Sequence, residues 1–134
     1  MNIAHFDDLL RAAQQQNLPQ RLLLVFASAE LPADSTAAQR RQFEDGVGGA
    51  LVPCLCVDKT SEEVGSFARL KRESDQFNLQ WQAVFVSTQS DHPDEATASA
   101  AAAKALERMV AAIKGGALAN MIAFDLQGNA MALQ

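Results

Sequence analysis

Ile3, Phe6, Leu9, Leu10 and Ala13 recur at intervals of three and four, which stripes one side of a helix that ends near Asn17-Leu18-Pro19. Leu22 to Ala27 is apolar at every position, the pattern of a central strand covered on both faces. Asp34-Ser35-Thr36 offers capping oxygens to a helix over 37–44, and Gly46-Val47-Gly48-Gly49 stops it. Ala50 to Val57 reads as a second strand, with Pro53 pushing it toward a sheet edge because proline has no N–H for a ladder. Thr60 and Glu63 are spaced as a capping box, and Val64, Phe67 and Ala68 continue the helix it opens. A third two-sided strand is expected over Trp81 to Thr88. Pro93-Asp94-Glu95 then begins an alanine-rich helix with Ala102, Leu106, Met109, Val110 and Ile113 on its apolar stripe, and Gly115-Gly116 ends it. Residues 121–125 and 130–133 flank Leu126-Gln127-Gly128-Asn129, the chemistry of a hairpin turn.

The resulting order is αβαβαβαββ. Each link between the first three strands holds a helix and exceeds the dozen or so residues that a parallel crossover needs. The expected fold is therefore α/β: one three-layer domain over 1–134, with a mixed, mostly parallel sheet of about five strands. Helices would cover both faces and a C-terminal β-hairpin would close the sheet, in a flavodoxin-like or thioredoxin-like arrangement.

Composition narrows the function classes. In 134 residues, 49% hydrophobic and 20% charged, 11 basic side chains face 16 acidic ones, a net charge of −5. That balance gives no cationic surplus for phosphates, so neither nucleic acid nor an anionic membrane is expected as a partner. The opening residues carry two acids and no basic stretch, and no apolar run reaches the ~18 residues of a membrane span. A cytoplasmic protein is the expectation.

In a parallel sheet a ligand would sit at the carboxyl ends of the strands. That edge would gather Ser28 and Glu30 after the first strand, Asp58 after the second, and Ser87, Asp91 and His92 after the third. Oxygens of this kind suit a hard cation or a basic partner. Acids at helix starts also cap free N–H groups and complement the helix dipole, which accounts for most of them without a ligand. No glycine-rich turn precedes a helix, so no nucleotide site is expected. Cys54 and Cys56, two apart on a strand, share a face with Cα atoms about 6.6 to 6.8 Å apart, which disfavours a disulfide. Buried thiols in apolar surroundings are poor nucleophiles. His5 and His92 have no third ligand at zinc spacing. Ser90, Asp91 and His92 are consecutive, so they cannot readily assemble a triad. No catalytic residue, cofactor or metal is assigned.

Leu22 to Phe26, Ala29-Glu30-Leu31-Pro32, Gly48 to Pro53, Cys56-Val57-Asp58-Lys59, Val84-Phe85-Val86 and Arg108-Met109-Val110 with Ile113-Lys114 together resemble a family of short bacterial proteins. Its members are sometimes labelled ribonucleotide reductase subunit alpha. The resemblance runs over most of the chain, and it implies a small bacterial cytosolic protein. It does not bring that label's chemistry, because these motifs supply no radical-bearing cysteine, reductant cysteine pair or nucleotide pocket.

The expected function is thus non-catalytic: a small protein acting through protein contacts as a homo-oligomer, with the helices Ile3 to Gln16 and Ala96 to Lys114 leaving apolar area for a partner. The alternative is a small-ligand-binding or metal-assisted enzyme with its site on the acidic and hydroxylic edge.

Overall fold

A computed structural model describes residues 3–30, 36–38, 41, 50–77 and 80–131. The helix expected over 37–44 falls partly outside that set; Ala37, Ala38 and Arg41 are helical. In chain order the elements are α1 (Phe6–Gln14), β1 (Gln20–Glu30), β2 (Ala50–Thr60), α2 (Ser61–Val64), α3 (Phe67–Asp75), β3 (Ala83–Ser90), α4 (Glu95–Gly115) and β4 (Ile122–Phe124).

Among the described residues the sheet has four strands, in the order β2-β1-β3-β4. Every pairing is antiparallel. This overturns the expected mostly parallel, five-stranded, flavodoxin-like or thioredoxin-like architecture. A connection longer than a dozen residues permits a parallel crossover without requiring one, since a helix-bearing link can equally return the chain beside its own strand. β2 and β3 both lie antiparallel to β1 and flank it, so they run parallel to each other with β1 between them. α2 and α3 make that crossing. After β4 the chain turns back at 125–128, and Phe124 bridges Ala130.

Two-sided burial of β1 has a direct packing cause. Leu22, Leu24 and Phe26 point into one core with Phe6, Leu9 and Leu10 of α1, Leu70 of α3, Trp81 and Phe124. Leu23, Val25 and Ala27 point the other way, onto Ala102, Leu106, Met109 and Ile113 of α4. The alternation thus feeds helices on both sides of an antiparallel sheet. Trp81 seals the end of the first core: its Nε1–H donates to the Ser74 hydroxyl at 2.9 Å, and that hydroxyl donates to the Lys71 carbonyl at 2.8 Å. A buried serine thus satisfies the indole.

β2 lies at the sheet edge, the position that Pro53 favours. Phe26 pairs with Leu55 and Ala27 with Pro53, so Cys54 is the extra residue of a β-bulge. A bulge beside a proline interrupts the outward row of backbone donors, which guards the edge against adding another strand.

Candidate functional site

The strand directions decide which of the six edge residues can meet. Leu23 lies opposite Asp58 on β2 and Ser87 on β3, so these two share one sheet level and the face under α4. Asp91 and His92 follow β3 at the same end. Ser28 pairs with Val52, and Glu30 with Ala50, at the other end. Five residues separate Leu23 from Ser28, about 17 Å of strand. Ser28 and Glu30 therefore belong to the far end of the sheet, because β1 runs opposite to its neighbours. The acidic edge expected from sequence does not exist as one surface.

What does assemble at the near end centres on Arg21. It occupies the same face of β1 as Leu23, Val25 and Ala27, and its side chain is only 6% exposed. Nη1 donates to Asp58 Oδ2 at 2.6 Å, Nε to Asp91 Oδ1 at 2.9 Å, and Nη2 reaches Glu95 Oε2 at 3.5 Å. Burial of a guanidinium is costly unless its donors are paired, and here three carboxylates share the task. The hydrogen bond from Arg21 holds the Asp91 carboxyl below the usual carboxylate range, aided by the His92 N–H. Reciprocally, the bond to Asp91 raises the Arg21 guanidinium above its ordinary value. Asp58 and Asp91 meet through Arg21, a residue the sequence reading did not single out. The available signal was an arginine in two-residue register with three buried apolar side chains.

His92 joins this end through its backbone and its ring. Its N–H donates to Asp91 Oδ1 at 3.0 Å, and its Nδ1 accepts the Asp94 N–H at 2.9 Å. Asp94 in turn caps α4 by accepting the Thr97 N–H at 3.0 Å. The polar atoms here thus bond to helix starts and to one another. Among the described residues no group of three His, Cys, Asp or Glu side chains is arranged to hold a metal ion.

Three surface depressions bear on binding. A polar one of about 540 Å³ lies beside this cluster, between Gln16, Asn17 and Pro19 on one side and Thr60, Glu62 and Asp91 on the other. An apolar one of about 360 Å³ runs between β2 and α3, walled by Phe26, Leu55, Val57, Leu70 and Phe77. Phe77 is 66% exposed. The Lys59–Glu73 ion pair, 3.2 Å long, forms its rim. On the opposite face of β2, Cys56, Leu106 and Val110 line a third of about 390 Å³.

Cys54 and Cys56 are exposed and unbridged, not buried as expected, because the edge strand leaves both outside the core. Loss of surrounding water still pushes both thiols up, and for Cys54 the neighbouring Cys56 adds to the effect. Cys54 also donates its S–H to the Phe26 carbonyl at 3.3 Å. No helix among the described residues is long and apolar enough to cross a membrane.

No protein-family model, curated protein or solved structure matches this chain.

Proposed function

We propose that this chain is a non-catalytic protein that works through protein contacts, in the first place with a second copy of itself. One observation carries the reading: the apolar depression between β2 and α3 has a protruding Phe77 on its own rim. A patch holding both an aromatic knob and an apolar hollow can be self-complementary across a two-fold axis, each Phe77 filling the partner's hollow beside Leu55, Val57 and Leu70. The guarded edge of β2 directs association to this face instead of to strand addition. The charge balance favours protein over nucleic acid as the partner, and two free thiols suit a reducing cytoplasm.

The alternative reading, a small ligand in the polar depression, is supported by the placement of Asp91 on its wall. Its weakness is that Arg21 and the His92 N–H already engage Asp91. Light scattering on the wild type and on Phe77→Ser separates the two readings. A wild-type dimer that the substitution converts to monomer is the expected result. A strict wild-type monomer whose melting temperature rises with a divalent cation or small metabolite would establish the alternative.

A further inference from the structure

The two nitrogens of His5 are both committed. Nδ1 accepts the Asp7 N–H at 3.1 Å, capping α1, and Nε2 lies 3.0 Å from the Gln127 carbonyl oxygen. An acceptor at Nδ1 and an oxygen at Nε2 require a neutral ring with its proton on Nε2. The ring also stands edge-on to Phe67, with centroids 5.8 Å apart, and leaves no room for a side chain on Gly128. His5 thereby touches α1, the start of α3 and the turn after β4 at once.

The charged groups around it set what a second proton would do. On α1, Asp7 Oδ2 lies 3.6 Å from Nδ1, while Asp7 Oδ1 accepts the Phe67 N–H at 2.9 Å. Asp8, bonded to Arg11, accepts the His5 backbone N–H at 3.0 Å. In the turn, Asp125 accepts the Gln127 and Asn129 N–H groups, each at 2.9 Å. At the start of α3 the contact is Phe67 itself, and the Arg69 side chain lies against Gly65.

We propose that His5 is a proton-operated clasp between α1, α3 and the β4 turn. In the neutral state it accepts from the Asp7 amide and leaves the Asp7 carboxylate to hold the Phe67 N–H. When the ring takes a proton from solvent, Nδ1 becomes a donor. It then gives up the Asp7 amide and closes on Asp7 Oδ2, which pulls on the carboxylate whose Oδ1 holds the Phe67 N–H and weakens that bond. The attraction of Asp7 for the charged ring compensates the lost cap, so the outcome is an exchange of partners at the junction of α1 with α3 without global unfolding.

The test is nuclear magnetic resonance on the intact chain, following the His5 ring nitrogens and the amide exchange of Asp7 and Phe67, corrected for intrinsic pH dependence, through the ring's titration. The expected result is an Nε2–H tautomer when neutral. Both amides should then exchange roughly fivefold faster on protonation, the factor that corresponds to one lost helix cap. His5→Asn keeps a capping oxygen and removes the titrating group, so exchange at Phe67 should be flat over the same range. An Nδ1–H tautomer, or exchange in the wild type that does not follow the ring, overturns the clasp even where the variant does not fold.

Discussion

Arg21 and Asp91, 70 residues apart in the chain, meet in a 2.9 Å hydrogen bond that closes one end of the sheet beneath α4. The bond joins β1 to the residue that follows β3, and Asp58 joins β2 to the same guanidinium. A single buried cation therefore ties the ends of three strands together, and acids that would otherwise repel are neutralised internally.

Replacement of Arg21 by methionine should destabilise the fold by about 1–3 kcal/mol, the cost of losing hydrogen bonds between charged groups, because the acids left behind reach solvent. Asp91→Asn should cost less, and the two effects should be non-additive in a double-mutant cycle measured by urea unfolding. The pH dependence has a definite sign. Because Asp91 is held below its ordinary range, its contribution is complete above the unfolded-state value of about 3.9 and is lost as the pH falls through the lower folded-state value. The Arg21 variant should lack that component of the acid transition.

Strand direction was the part of the fold that the amino-acid pattern could not supply. The stripe of Phe6, Leu9, Leu10 and Ala13, the Thr60–Glu63 capping box and the Asp94 cap all rest on neighbours within four residues, so spacing reveals them. The apolar run in β1 reports burial on both faces, and that is equally true of parallel strands and of an antiparallel sheet sandwiched by helices. Once direction was misread, Ser28 and Glu30 were placed with Asp58 and Asp91 on an edge they do not share. The Arg21 cluster depends on partners 37 to 74 residues away, beyond the reach of local pattern. His5 escaped notice as a cap because its ring nitrogen does the work usually left to a short side-chain oxygen.

Gly128→Ala should be strongly disruptive for two separate reasons. Gly128 holds φ at +82°, and a Cβ there would lie 2.6 Å from His5 Nε2 and 2.9 Å from Phe67 Cδ2. Backbone strain of this kind costs on the order of 1–3 kcal/mol, and the steric conflict adds to it. Chemical denaturation of the variant should show at least that loss, and His5→Ala in the same chain should relieve only the clash with the imidazole, leaving the Phe67 contact and the strain.

Ser74→Ala removes the hydroxyl that satisfies the buried Trp81 Nε1–H. A stability loss of about 1–3 kcal/mol is expected for the orphaned donor. Trp81 is the only tryptophan in the chain, so its emission reads the site directly. A spectrum and a stability identical to the wild type would show that the serine is dispensable.

Alkylation by iodoacetamide should be slow near neutral pH at both Cys54 and Cys56 despite their exposure, because only the thiolate reacts and both thiols are shifted upward. The rate should climb along a profile displaced to higher pH than that of a free cysteine peptide. A profile coincident with the peptide's would contradict the assignment.

Association through the Phe77 face is tested most directly by amide hydrogen exchange of the wild-type chain at low and high protein concentration. The expected result is slower exchange at high concentration for Gln76 and Phe77 and for the neighbouring part of β2, with β4 and its turn unchanged. Exchange at Phe77 that is identical at both concentrations would contradict self-association through this face.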